Sequence, residues 1–127
     1  MIAILAAEAL PTTKITLVES DQRKAVFLRT AIRECGLAAE VVVDRIEQAE
    51  PLSADVVSAR ALAPLPLLLD LASRHLSTGG TCLFPKGATY AQEVKAALET
   101  WSFHCEEIPS RTSSDGAILR IGELKRV

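Results

Sequence analysis

The stretch ITLVESDQRKAVFLR, residues 15–29, decides the fold class of this chain. Ile15–Glu19 is a short apolar run that ends in a carboxylate, as a buried parallel strand would. Ser20–Asp21 supplies two preferred helix N-cap residues, and apolar side chains then recur at helical spacing over Gln22–Cys35 until Gly36 offers a stop. The stretch therefore predicts a strand followed directly by a helix.

The rest of the chain repeats this alternation of strand and helix patterns, until the last two strand-like runs, which have no helix between them. Short continuous apolar runs predict three more buried strands, at Val41–Val43, Asp55–Ala59 and Thr81–Pro85. Helical spacing predicts two more helices, at Pro64–His75 and Ala88–Glu99, and we expect the glycine-containing residues 77–80 to form a break after the first of them. The last strand-like runs, 102–108 and 117–121, have no helix between them, so they are either neighbouring antiparallel strands or a hairpin excursion.

Parallel strand–helix repeats that end in an antiparallel strand pair predict an α/β fold with a Rossmann-like doubly wound sheet of the methyltransferase kind. We interpret residues 1–127 as a single domain, because they contain no internal repeat and no flexible linker. With 49% hydrophobic and 24% charged residues the chain has the composition of a folded globular domain. Its net charge of -2 predicts no overall basic surface, so any RNA contact must come from a local patch.

Cysteine and histidine spacing gives no sign of a metal site. Cys35, Cys82 and Cys105 never form a C-x-x-C motif, and we expect them to be buried free thiols in a reducing cytoplasm. The two histidines also lie far apart in the sequence. Met1–Leu10 is apolar, but it is too short to span a bilayer and lacks the basic lead-in of a signal peptide, so we expect no membrane segment.

Ligands of open α/β sheets bind beyond the carboxyl ends of the strands, so the residues found there are the candidates for a site. Glu19 closes the first strand and can accept hydrogen bonds from both ribose hydroxyls of an adenosine cofactor, or it can serve as a partner for the dipole of the following helix. Arg45, Ile46 and Glu47 follow the next strand. There they can flank an adenine ring or form a solvated turn.

Basic residues follow the next two strands. Arg60 offers a planar fork of donors that suits phosphate or the edge of a guanine, although a surface salt bridge would explain it as well. Lys86 offers a point charge to phosphate beside Gly87, which permits close approach of a ligand, or it is an ordinary exposed lysine. The sequence contains no nucleophile elbow, zinc-protease motif or P-loop, so hydrolase and nucleotide-triphosphatase functions lack support.

Five segments of the chain occur in a distinctive order and spacing: ITLVESDQRKAVFLR, DRIEQAEPL, DVVSARALAPLPLLL, LFPKG and SRTSSDGAILRI. By these segments the chain, from about Ile2 onward, resembles the ribosomal RNA small subunit methyltransferase G family, also called glucose-inhibited division protein B. The family implies transfer of a methyl group from S-adenosylmethionine to N7 of a guanine in 16S ribosomal RNA, with the small ribosomal subunit as partner. As the cysteine and histidine spacing and the short apolar start already indicate, we expect neither a metal nor a membrane as partner.

The resemblance also implies roles for single residues. Glu19 would bind the cofactor ribose, and Ile46 and Glu47 would lie beside the adenine. Arg60 would be both the catalytic arginine near the target base and a cofactor contact. The remaining two basic residues would contact RNA: Arg45 and Lys86.

The chain departs from the family pattern at its start. Relatives begin with an additional helical segment and a strand that leads into a D-x-G-x-G-x-G-x-P-G loop, and this chain starts just past that loop, at what looks like the following helix. We therefore expect the strand and the loop to be missing and the isolated chain to bind cofactor poorly. Ala117 stands where a basic residue is expected. Three interpretations stay open: a methyltransferase with a misplaced start or cut from a longer protein, a nonenzymatic remnant, and another adenosine-cofactor Rossmann protein. The antiparallel strand pair and SARALAPL favour the first.

Overall fold

The computed structural model describes residues 13–60, 62–111 and 115–127. The chain divides into two compact units, Met1–Ala49 and Glu50–Val127. The prediction made for Met1–Leu10 lies outside the described residues.

The first unit contains the strand–helix pair that the opening stretch predicts. Strand β1 (Ile15–Glu19) is followed by helix α1 (Gln22–Cys35) and strand β2 (Ala39–Val43), and the two strands pair in parallel. The Asp21 carboxylate accepts hydrogen bonds from the amides of Arg23 and Lys24, as an N-cap does. Gly36 ends the helix in the left-handed region at φ 64°. Both predicted ends of α1 are confirmed, and β2 begins two residues earlier than predicted.

The second unit is built on a four-stranded sheet with the order β3-β4-β6-β5. Strand β3 (Ala54–Ser58) pairs in parallel with β4 (Leu76–Lys86). Strand β6 (Ala117–Arg126) is antiparallel both to β4 and to β5 (Trp101–Pro109). The predicted antiparallel pair is therefore confirmed, and it joins the parallel strands through β6.

The core of the second unit lies between this sheet and two helices, α2 (Leu65–Ser73) and α3 (Tyr90–Ala97). Alternate residues of β4 and β6 point into it, so that each strand contributes every second side chain. The buried cluster consists of Leu65, Leu68, Leu69, Ala72, Cys82, Phe84, Ala97, Trp101, Leu119 and Ile121.

The prediction of a break at residues 77–80 was wrong, because β4 already begins at Leu76. The pairing of β3 with β4 passes from Ala54 opposite Leu76 to Val56 opposite Thr81, so the extra residues form a bulge inside the strand. A Cβ atom on Gly80 would lie 2.9 Å from the Leu76 side chain and 3.0 Å from the carbonyl oxygen of Ala54. Glycine is needed here for close approach of two strands.

Helices α2 and α3 are both shorter than predicted. α2 ends at Ser73, and α3 runs from Tyr90 to Ala97. None of the helices in the described part of the chain is long and apolar enough to cross a membrane.

Candidate functional site

In the first unit, the parallel register brings Glu19 to the same edge as the residues that follow β2. Glu19 is opposite Val43, and the amide of Asp44 donates to the carbonyl oxygen of Glu19 at 3.2 Å. The half-buried Glu19 carboxylate accepts a hydrogen bond from the Ser20 amide through Oε2 at 3.0 Å. Further acceptor sites of this carboxylate are available to a ligand, since an ionised carboxylate has about four lone pairs.

A tight turn with an internal ion pair follows β2. The amides of Gln48 and Ala49 both donate to the carbonyl oxygen of Arg45 at 2.9 Å, which fixes the turn. Arg45 Nε donates to Glu47 Oε1 at 2.6 Å, and both side chains are exposed. The pKa of Glu47 is lowered, first by a hydrogen bond from its own amide and then by the one from Arg45. Glu47 is therefore an ionised acceptor at neutral pH.

In the second unit, Arg60 and Lys86 lie at the carboxyl ends of the two parallel strands, but their surroundings differ. Arg60 lies two residues after β3 and is exposed, and its side chain has no hydrogen-bond or ion-pair partner among the described residues. Lys86 is the last residue of β4, and only 9% of its side chain is exposed. Its ammonium donates to the carbonyl oxygen of Ala63 at 2.9 Å and to Glu93 Oε1 at 3.0 Å.

Sequence reasoning missed Glu93. This side chain of α3 also accepts a hydrogen bond from the Leu65 amide at 2.9 Å, and so provides a hydrogen-bond acceptor for the first turn of α2. A signal was present in the sequence Pro64-Leu65-Pro66, because the N-cap proline has no side-chain acceptor for the free amide that follows it.

Each unit thus holds one group of the predicted site residues. Glu19, Ile46 and Glu47 share an edge in the first unit, and Arg60 and Lys86 share an edge in the second.

Two cavities lie within the units, away from the predicted residues. A cavity of about 290 Å³ crosses β4, β5 and β6 and is lined by residues such as His104, Glu106 and Arg120. Another of about 220 Å³ lies at the amino-terminal ends of β1 and β2, beside Lys14 and Glu40. Neither cavity is lined by a strand-end residue of the candidate site.

The cysteines are free, as expected, but the prediction that all three are buried was wrong. Cys82 is buried, Cys105 is half-buried, and Cys35 is exposed in the last turn of α1. No three His, Cys, Asp or Glu side chains cluster as metal ligands within residues 13–60, 62–111 and 115–127.

The fold is similar to that of solved methyltransferases. A predicted O-methyltransferase of Agrobacterium tumefaciens, Atu636, matches with a TM-score of 0.73 at 16% identity, over 94% of this chain and 66% of that one. TYW2 of M. jannaschii in complex with AdoMet matches with a TM-score of 0.68 at 14% identity, over 98% of this chain and 63% of that one. The chain therefore has the Rossmann-like fold of these methyltransferases, which confirms the predicted fold class.

Sequence comparison identifies the family to which the chain belongs among proteins of this fold. The family model described as rRNA small subunit methyltransferase G matches residues 3–117. A Ribosomal RNA small subunit methyltransferase G of Ruegeria pomeroyi is 50% identical over 98% of this chain. Its namesake in Ruegeria sp. strain TM1040 is 52% identical over 100% of this chain. The chain belongs to the rRNA small subunit methyltransferase G family, and it spans 61% and 62% of the length of these two relatives.

Proposed function

We propose that this protein is an S-adenosylmethionine-dependent methyltransferase of the cytoplasm that modifies N7 of a guanine in 16S ribosomal RNA within the small ribosomal subunit. The observation that carries the proposal is identity of about one half, across essentially the whole chain, to relatives named for small-subunit ribosomal RNA methylation. The Rossmann-like methyltransferase fold supports it independently.

The cofactor is proposed to bind at the shared edge of β1 and β2. Glu19 ends β1 with acceptor sites available for two ribose hydroxyls, and the turn after β2 offers the apolar side chain of Ile46 and the ionised Glu47 to an adenine. When bound, S-adenosylmethionine supplies an electrophilic methyl group on a sulfonium. The residues present fit such a cofactor, because they combine a bidentate acceptor with an apolar contact.

Arg60 is the proposed catalytic residue. Its exposed guanidinium carries five donors in a rigid fork, which can hold the O6 edge of a guanine or an adjacent phosphate. Guanine N7 already carries a lone pair in the plane of the ring, so the reaction depends on alignment and exclusion of water more than on a general base. Arg45, also exposed, is proposed as a contact to RNA phosphate.

The test compares the 127-residue chain with a fusion that supplies the part of the Ruegeria pomeroyi relative which the chain does not cover. Each protein is incubated with methyl-labelled S-adenosylmethionine and small subunits that lack the modification, and the RNA is digested to nucleosides for mass spectrometry. We expect 7-methylguanosine from the fusion. Arg60→Ala should lower the rate about 10²-fold through lost alignment, whereas Arg33→Ala on exposed α1 should not.

Two results would count against the proposal. A fusion that binds S-adenosylmethionine but leaves 16S RNA unmodified would favour a nonenzymatic remnant. Full activity of the Arg60→Ala fusion would remove Arg60 from the site while leaving the function in place.

A further inference from the structure

Three hydrogen bonds meet where α2 begins. Lys86 Nζ donates to the carbonyl oxygen of Ala63 at 2.9 Å and to Glu93 Oε1 at 3.0 Å, and the amide of Leu65 donates to the same Glu93 oxygen at 2.9 Å. The Lys86 and Glu93 side chains are 9% and 21% exposed. We call this pair and its two backbone contacts the Lys86–Glu93 clamp.

The clamp compensates for a helix start that cannot cap itself. Pro64 occupies the N-cap position without a side-chain acceptor, and Pro66 has no amide to donate. Glu93 reaches in from α3 to accept the Leu65 amide, where a carboxylate also interacts favourably with the positive end of the helix dipole. The backbone on either side of Pro64 is therefore held by side chains from two other elements.

The clamp holds the chain immediately after Arg60. Arg60 lies two residues after the last residue of β3 and three residues before Ala63. The pairing of Ser58 with Leu83 of β4 fixes the backbone before Arg60, and the clamp fixes the backbone after it. The exposed Arg60 lies between these two anchors in the sequence.

We propose that Lys86 and Glu93 are positioning residues that hold Arg60 in its reactive place, and that Lys86 acts through the Ala63 carbonyl rather than by contacting RNA. The proposal rests on the proposed function of Arg60. Two of the three ammonium donors of Lys86 are already used, its charge is balanced by Glu93, and its side chain is nearly inaccessible. A lysine that binds phosphate instead presents its ammonium to solvent.

The first experiment measures the effect of the clamp on the backbone around Arg60 and Leu65, in the absence of RNA and cofactor. Nitrogen-15 NMR of the chain, or of the fusion if that is better behaved, measures amide hydrogen exchange of Leu65 and the amide chemical shift of Arg60. Lys86→Met and Glu93→Ala should both accelerate Leu65 exchange about tenfold and move the Arg60 resonance, because the opening of α2 becomes easier. Glu93→Gln, which keeps the volume of the side chain, serves if Glu93→Ala does not fold.

The control is Lys95→Met, the same substitution at an exposed lysine of α3. It should leave both NMR readouts unchanged. Unchanged Leu65 exchange and Arg60 shift in Lys86→Met would overturn the proposal, whatever the enzyme assay shows.

The second experiment separates positioning from RNA contact in the active fusion. Lys86→Met and Glu93→Ala should both lower kcat about tenfold with KM for RNA unchanged, and Lys86→Arg should recover most of the rate. A lysine that contacts phosphate would instead lower the slope of log affinity against log salt by about 0.7–0.9, and such a fall in Lys86→Met would overturn the proposal. If the fusion without any substitution does not methylate RNA, that result contradicts the proposed function only. The NMR experiment tests the clamp separately, because it needs no enzyme activity.

Discussion

The guanidinium carbon of Arg126 lies 4.3 Å from the centroid of the Trp101 ring. The two residues are opposite each other on β6 and β5, and Arg126 Nη2 also lies 2.5 Å from Asp70 Oδ1 on α2. Trp101 is 5% exposed, so the cation covers one face of a ring that belongs to the core. This contact joins the end of the antiparallel strand pair to the first helix of the second unit.

Arg126→Met should lower the free energy of unfolding by about 1 kcal/mol, the sum expected of one cation–π contact and one exposed ion pair. Methionine keeps apolar cover over the ring while it removes the charge. Urea unfolding can be followed by the fluorescence of Trp101, the single tryptophan of the chain. Asp70→Asn, which leaves the ring contact in place, should cost less; an Arg126→Met protein as stable as the parent would show that the cation contributes nothing.

The helix α1 could be predicted from sequence because all its signals are local. Asp21 caps the helix through amides two and three residues away, and Gly36 ends it through its own backbone conformation. The start of β4 could not be predicted, because Gly80 is required by contact with Ala54, which is remote in the sequence. Local propensity assigns such a glycine to a break, whereas the strand pairing makes it a bulge.

The candidate site also has features that could be predicted from the sequence and features that could not. Glu19 and Arg60 could be placed at the ends of their strands, because strand ends follow from short apolar runs. The surroundings of Lys86 could not be predicted, since they depend on how α3 brings Glu93 to the start of α2. A lysine after a strand is equally compatible with an RNA contact and with a buried ion pair until its partner is known.

Tyr90 is the single tyrosine of the chain, so its ionisation can be measured without a contribution from any other tyrosine. Its hydroxyl donates to Glu107 Oε2 at 3.3 Å. The negative charge of Glu107 is the main cause that raises the pKa of Tyr90 above its ordinary value of 10.0, with desolvation and the hydrogen bond adding to it. Because the folded-state pKa is the higher one, this contribution to stability is present below the ordinary pKa and is lost as the pH rises through the folded value.

Glu107→Gln should therefore lower the pKa of Tyr90 toward its ordinary value. The near-ultraviolet absorbance of tyrosinate measures it directly during an alkaline titration. Glu106→Gln is the matched control on the same strand, since Glu106 faces Arg120 rather than Tyr90. Identical titration curves for Glu107→Gln and the parent would mean that the carboxylate does not act on the phenol.

Cys82 should be the least reactive of the cysteines. Burial raises the pKa of its thiol from 9.0 to about 12, so almost no thiolate is present near neutral pH. Iodoacetamide at pH 8 should label exposed Cys35 and spare Cys82 until urea unfolds the chain, as peptide mass spectrometry would show. The folded state also resists ionisation here, so the stability due to Cys82 falls as the pH rises from about 9 toward 12. Equal labelling rates at Cys35 and Cys82 would contradict this account.

Arg45 is proposed to contact RNA phosphate, and Glu47 is proposed to contact the cofactor. In the structure Arg45 Nε donates a hydrogen bond to Glu47 Oε1 at 2.6 Å. Glu47 is ionised more readily than an ordinary glutamate, so its contribution to stability is present above pH 4.5 and is lost as the pH falls through its lowered pKa. Arg45→Gln removes the two contributions of Arg45 to that shift, its hydrogen bond and its charge, but leaves the largest single cause, the hydrogen bond from the backbone amide. The pKa of Glu47 should rise only part of the way, as carboxyl carbon-13 NMR can measure.

The same variant tests whether the arginine contacts RNA. If Arg45 meets a phosphate, Arg45→Gln should lower the salt slope of RNA binding by about 0.7–0.9 while S-adenosylmethionine affinity stays within about twofold, because Glu47 keeps its charge. Lys14→Gln is the control: Lys14 is exposed beside Glu40 at the opposite ends of the same two strands, at 3.6 Å. An unchanged slope in Arg45→Gln would leave Arg45 as the partner that orients Glu47, with no part in RNA binding.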